Sequence, residues 1–146
     1  MMPGARIERA GVERPGSERP PVERKTSRVL VVEDEARLRH VITSNLTARG
    51  HVVREAADAS AALAALAAEH PDLLILDINL PDRTGWDVLR EARLPDAVRV
   101  LMLTAVPVSP RRLTEFRPVA YLPKPFPLEA LLRLAETSSR TVSDDA

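Results

Sequence analysis

Three stretches of this chain are apolar almost without interruption: Val29-Leu30-Val31-Val32, Leu73-Leu74-Ile75-Leu76 and, apart from Arg99, Val98–Leu103. None of them alternates apolar with polar residues. Runs of this kind fit strands buried on both faces, as in a parallel sheet covered by helices on each side. Segments with helical spacing lie between them. Within Ala36–Arg49 the apolar positions are Leu38, Val41, Ile42 and Leu46, and Gly50 sits where a left-handed C-terminal cap belongs. Ala59–Glu69 is Ala-rich, with Asp58 or Ser60 available as N-cap and Pro71 beyond its end. Trp86–Arg93 presents Val88, Leu89 and Ala92. Near the end, Pro127 suits a first helical position, and Leu128, Leu131, Leu132 and Ala135 share one face. His51–Arg54 and Val119–Leu122 are shorter strand candidates. The order is strand then helix, about five times over, which makes the fold class α/β.

Length and composition bound what this fold can carry. A chain of 146 residues holds one sizeable domain at about 100–200 residues each. Hydrophobic residues are 45% but aromatics only 3%, so the core must be built from Leu, Val, Ile and Ala. The absence of cysteine excludes disulfide scaffolds, thiolate metal sites and cysteine catalysis. No apolar run reaches the ~18–20 residues of a membrane span, and the polar, Pro-rich N-terminus has no secretory apolar segment. These features point to a cytoplasmic protein with no membrane partner. A formal net charge of zero argues against a nucleic-acid-binding domain.

Residues 1–27 are unlike the rest. They contain a five-residue repeat: Ile7-Glu8-Arg9, Val12-Glu13-Arg14, Ser17-Glu18-Arg19 and Val22-Glu23-Arg24. A period of five matches neither helix nor strand. With few apolar side chains to offset ordering entropy, the segment reads as a disordered, solvated tether. The domain proper is expected over 28–137, followed by a polar tail over 138–146.

In doubly wound sheets, ligands collect beyond the carboxyl ends of the strands. The first strand here ends in Glu33-Asp34-Glu35, and the third ends in Asp77, with Ile78-Asn79 after it. The fourth ends in Thr104-Ala105, and Lys124-Pro125-Phe126 follows the fifth. Acids, a hydroxyl and a lysine therefore converge on one edge of the sheet. Two unit charges ~4 Å apart repel by about 1 kcal/mol in water and about 4 kcal/mol at an effective dielectric of 20. A hard divalent cation relieves that repulsion, and Mg²⁺ prefers oxygen ligands and shares phosphate oxygens. The pattern therefore suggests a Mg²⁺ site that brings a phosphorylated ligand to a carboxylate, with lysine pairing to phosphate oxygens. Each motif alone has a plainer reading. Glu33-Asp34-Glu35, for example, could be N-terminal charge favoured by the dipole of the helix that follows.

Taken together, Val29–Glu35 (VLVVEDE), Leu73–Pro81 (LLILDINLP), Leu103-Thr104-Ala105 and Tyr121–Phe126 (YLPKPF) resemble the response-regulator receiver domain of two-component signalling, over about residues 28–137. The resemblance implies a flavodoxin-like five-stranded parallel sheet of order 2-1-3-4-5 flanked by helices. It makes Asp77 the phosphoacceptor, receiving phosphate from a sensor histidine kinase or phosphotransfer protein. Asp34 becomes the direct Mg²⁺ ligand, Glu33 the neighbouring acid working through water, and the backbone carbonyl of Asn79 a further ligand. Thr104 matches the switch hydroxyl, Tyr121 the aromatic that moves with it, and Lys124 the phosphate-pairing lysine with a cis bond to Pro125. Gly85 matches the glycine after the third-strand loop.

The stretch from Thr104 to Tyr121 departs from the family. It is short and broken by Pro107, Pro110 and Pro118, which confines a fourth helix to about Arg111–Phe116 or abolishes it. An atypical output surface follows. Trp86 is expected to pack, Arg111-Arg112 to be a solvated pair, and His40, His51 and His70 to have no ligand role. Few residues follow Thr137, so the expectation is a single-domain regulator, monomeric or weakly dimeric, that switches a protein-interaction surface or relays phosphate. Direct DNA binding is not expected, and neither is enzymatic turnover. A phosphohydrolase with an aspartyl nucleophile would resemble Asp-x-Asp where this chain has Asp77-Ile78-Asn79. There is also no Gly-rich P-loop. The competing reading is a degenerate receiver kept as a phosphorylation-independent binding scaffold.

Overall fold

The computed structural model describes residues 27–144, with side chains through Glu136. The expected tail over residues 1–27 lies outside the described residues, apart from Ser27, whose carbonyl accepts from the Val52 N–H at 2.9 Å. Strands and helices alternate strictly: β1 (Arg28–Val32), α1 (Ala36–Ala48), β2 (Val52–Ala56), α2 (Ala59–Ala68), β3 (Leu73–Asp77), α3 (Gly85–Ala92), β4 (Arg99–Thr104), α4 (Pro110–Phe116), β5 (Ala120–Pro123) and α5 (Leu128–Asp144). All strand pairs are parallel, and the sheet order is β2-β1-β3-β4-β5. This is the expected doubly wound order. The order in which successive strands are laid down reverses between β1 and β3, and the acidic residues gather at that switch point.

The unbroken apolar runs are explained by what covers them. Alternate residues of each strand point to opposite faces. Val29, Val31, Leu73, Ile75, Leu101 and Leu103 face Ile42 and Leu46 of α1 and Leu131, Leu132 and Ala135 of α5. Leu30, Val32, Leu74, Leu76, Val100 and Met102 face Ala59, Ala62 and Leu66 of α2 and Trp86 and Val88 of α3. Neither face meets water, so neither can afford polar residues.

Helix ends follow the local chemistry. Gly50 adopts φ +93°, the left-handed stop expected after α1. Asp58 caps α2, accepting from the Ala61 N–H at 2.8 Å. At the other end of α2, Arg54 of β2 donates to the carbonyls of Ala65 (3.0 Å), which also accepts from the Glu69 N–H, and of Glu69 (2.8 Å), just past the last helical turn. Thr84 and Asp87 form a reciprocal capping box at the start of α3. α5 continues through residues 138–144, where a polar tail had been expected. Once a helix is nucleated, each further residue adds a hydrogen bond at little cost.

The fourth helix is as short as the prolines imply, with seven residues and no buried side chain. Ser109 caps it, Pro110 opens it, and Arg117 closes it at φ +49°. It is tied to α3. The rings of Phe116 and Trp86 stack with centroids 5.1 Å apart, and Trp86 is only 6% exposed. Arg90 lies over Phe116 at 5.3 Å and also pairs with Glu115 at 3.2 Å. Arg112 lies over Trp86 at 5.6 Å, which corrects the expectation of a solvated Arg111-Arg112 pair. Its guanidinium covers an aromatic face and keeps the pairing with Glu115 at 3.8 Å. Replacing Phe116 with Ala is expected to cost about 2 kcal/mol, less than the ~3–5 kcal/mol of a fully buried Phe. The near-ultraviolet dichroism of the single tryptophan should weaken with it. Urea titration of both proteins measures the cost.

Candidate functional site

The strand ladders run past the strand ends and carry the site residues into register. The Glu33 N–H donates to the Ala56 carbonyl (3.1 Å), Ile78 to Leu103 (2.9 Å) and Lys124 to Thr104 (2.7 Å). Glu33, Asp77 and Thr104 are consequently buried, although each is polar. Asp34 is exposed beside them. One carboxylate oxygen from each of Glu33, Asp34 and Asp77 lies within 4.8 Å of the others.

Lys124 holds this cluster together. Its Nζ donates to Glu33 Oε1 at 2.9 Å and to Asp77 Oδ2 at 3.0 Å. The remaining oxygens are met by backbone: Glu35 N–H donates to Glu33 Oε2 (3.1 Å), and Asn79 N–H to Asp77 Oδ1 (3.0 Å). Burial works against the Lys124 ammonium, but its two carboxylate partners outweigh that and hold its pKa above the ordinary value. Burial pushes the Glu33 carboxyl above its ordinary value, more than Lys124 and the Glu35 N–H pull it down. Three carboxylates facing one ammonium leave the pocket net negative. All of its donors are hard oxygens, the chemistry of a Mg²⁺ site, and the residues present fit that ion. Glu33, Asp34 and Asp77 could hold it, with the Asn79 carbonyl on the loop beside them.

Thr104 ends β4 as expected, but its hydroxyl is turned to Val106, donating to the carbonyl and accepting from the N–H at 3.0 Å. Tyr121 is 40% exposed, with its ring on the outside of β5. The Lys124–Pro125 peptide bond is cis. Gly85 has a steric reason to be glycine: a Cβ there would stand 2.6 Å from the Asp77 carbonyl oxygen and 3.2 Å from Ile78 Cα. The Gly85 N–H also donates to the Ile78 carbonyl at 2.7 Å. The structure thus brings Glu33, Asp34, Asp77 and Lys124 together and puts Asn79 and Thr104 beside them. Only Tyr121 stands apart.

With that geometry in place, comparison with known proteins is decisive. The response regulator receiver domain matches residues 29–136. The chain belongs to that family. It is 37% identical over 123 residues to the response regulator MprA of Mycobacterium tuberculosis, covering 82% of this chain and 54% of that protein. It is 37% identical over 111 residues to "Probable transcriptional regulator ycf27" of Porphyridium aerugineum, covering 73% and 46%. Among solved structures, a CheY-like receiver from Methanospirillum hungatei superposes with a TM-score of 0.72 at 27% identity, over 79% of this chain and 94% of that one. TrrA of Thermotoga maritima, solved in complex with Mg²⁺-BeF, gives 0.65 at 28% identity, over 75% and 96%.

The receiver spans about half the length of the curated relatives it matches. This overturns the expectation of partners without direct DNA binding, because relatives that share the receiver segment include proteins described as transcriptional regulators. That expectation rested on balanced charge and on the few residues after Thr137. Neither bears on what a longer relative carries outside the matched segment. Among the described residues, no helix is long and apolar enough to cross a membrane.

Two further side chains brace the site. Arg39 Nη1 donates to the Glu33 carbonyl at 2.8 Å, while its Nε pairs with Glu55 at 3.1 Å. Asp82, on the loop after Asp77, accepts from the first two N–H groups of α2, Ala59 at 2.8 Å and Ser60 at 3.0 Å. The Ala59 N–H foremost holds its carboxyl below the ordinary value. No local signal marks either residue, since each partner lies 16 to 23 positions away or is a backbone atom.

Two outcomes are expected. Gly85→Ala forces backbone against backbone at Asp77 and should cost about 1–3 kcal/mol, read by urea unfolding. The raised Glu33 pKa means that the metal-free fold binds a proton more readily than the unfolded chain. That stability is fully present below the ordinary carboxyl pKa and is lost as pH rises through the raised folded value. Thermal melts of wild type and Glu33→Gln in chelator, taken from acid to neutral pH, measure this difference. Specifically, wild type should gain on the variant as pH falls, and a constant difference would refute the burial effect.

Proposed function

We propose that this receiver accepts a phosphoryl group on Asp77 from a phosphohistidine of a sensor kinase or phosphotransfer protein. The observation that carries this reading is the Asp77 carboxylate, buried and held from both sides by Lys124 and the Asn79 N–H. In the transfer, an Asp77 oxygen forms the new O–P bond, the histidine N–P bond breaks, and the leaving imidazole keeps the electron pair and takes a proton. Such transfer needs positioning and charge neutralisation more than covalent assistance. Lys124 supplies one positive charge already directed at Asp77. Bound Mg²⁺, held by Asp34, Asp77 and the Asn79 carbonyl with Glu33 working through water, would neutralise the remaining phosphoryl charge. Thr104 lies one strand over and would turn its hydroxyl from Val106 toward the new anion, with Tyr121 responding on the outer face. The protein acts as a phosphoacceptor and not as a turnover enzyme: Asn79, two residues after Asp77, has no carboxyl with which to shuttle protons. The scaffold alternative has no observation in its favour, since each residue type the transfer needs is present and the carboxylates and lysine are assembled.

Intact-protein mass after incubation with acetyl phosphate and Mg²⁺ tests the reading. A single phosphoryl gain is expected in wild type, lost in chelator and absent in Asp77→Asn. Absence of any gain from acetyl phosphate and from a phosphorylated kinase, under conditions that label a control receiver, would establish the scaffold reading instead.

A further inference from the structure

The loop between β3 and α3 carries the Asn79 carbonyl, the one candidate metal ligand that is not a side chain. Its base is closed twice, by the Gly85 N–H on the Ile78 carbonyl and by an antiparallel bridge between Asn79 and Thr84. Ile78 and Leu80 are buried in the core on the α2 and α3 side. Its far end is held by Asp82. Both carboxylate oxygens of Asp82 are used, one on the Ala59 N–H and one on the Ser60 N–H. These are charge-assisted bonds to a helix N-terminus, where a negative charge is favoured. α2 is a firm anchor, because Ala59, Ala62 and Leu66 are buried against the sheet. It does not need Asp82 for an N-cap, since Asp58 already fills that role on Ala61. A second carboxylate reaching the same helix from 23 residues away does more for the loop than for the helix.

We propose that Asp82 is a positioning residue for the metal site: by clamping the loop of residues 78–84 to the first turn of α2, it holds the Asn79 carbonyl in place for a divalent cation shared with Asp34 and Asp77. Asp82 touches neither the ion nor the phosphoryl group. Its contribution is to have the loop ordered before the ion arrives, so that binding does not carry that cost. The proposal rests on the metal-dependent reading of the pocket given above.

Asp58 provides the control, because it caps the same helix from outside the loop. Mn²⁺ titration of the full chain, with free ion counted by electron paramagnetic resonance and Mg²⁺ added as competitor, gives the dissociation constant. Asp82→Ala and Asp58→Ala should lower the melting temperature by similar amounts. Only Asp82→Ala should raise the ion's dissociation constant, about threefold to tenfold, below the ~10–100-fold typical of groups bonded directly to a ligand. Asp82→Asn keeps one acceptor and should fall between; it decides the matter if the alanine variant does not fold. Equal affinity in wild type and both Asp82 variants, or equal weakening by Asp58→Ala, overturns the positioning role and leaves the metal site standing. Failure of wild type to bind Mn²⁺ competably with Mg²⁺ overturns the metal reading and the role of Asp82 with it.

Discussion

One ammonium between two buried carboxylates sets the terms for everything around it. Glu33 and Asp77 are almost wholly removed from water, and Lys124 bonds to both. Buried charges persist only when paired and hydrogen-bonded, and losing one partner of such a set costs several kcal/mol. The backbone completes the set through the Glu35 and Asn79 N–H groups. Those four bonds come from three chain segments, the turns after β1 and β3 and the turn after β5. The parallel sheet must therefore be in register for the charges to be tolerated at all. A third carboxylate, Asp34, stands at the exposed rim with no ion-pair partner among the described residues, which leaves the cluster with more negative than positive charge.

Much of this was legible in the sequence, and the reasons are physical. Strands covered on both faces leave a compositional trace that short amphipathic strands do not. Val29–Val32 and Leu73–Leu76 therefore announced themselves, whereas β2 was placed at His51–Arg54 and lies at Val52–Ala56. The site residues were visible because a doubly wound sheet puts each of them at a strand end, a position that linear order reveals. Prolines are equally local in their effect, and they marked the short α4 to within a residue of its start.

The misses share the opposite property. Arg39, Asp82 and Arg112 act on groups brought near only by tertiary packing, and an arginine or aspartate in a loop or first turn looks the same whether solvated or clamped. Two neighbouring arginines read as a solvated pair because nothing in the local sequence shows what stands opposite them; one of them lies over a tryptophan on another helix. Charge balance misled for a different reason. It describes the surface of the segment counted, whereas what relatives do depends on chain beyond the matched part.

The aromatic clasp and the Thr104 hydroxyl together define how α4 is held. A seven-residue helix with no buried side chain has little stability of its own. Its C-terminal end rests on Trp86 through Phe116, and Trp86 directly follows the glycine packed on the Asp77 carbonyl. The approach to its N-terminal end is fixed by Val106, whose carbonyl and N–H are both occupied by Thr104. A hydroxyl has a single proton to donate. In this structure that proton is given to the Val106 carbonyl, which fixes the course of the β4–α4 turn. The clasp to α3 uses other residues, Phe116 on Trp86. The two ends of α4 are therefore held by different means, a hydroxyl clasp on the turn before it and an aromatic stack on α3.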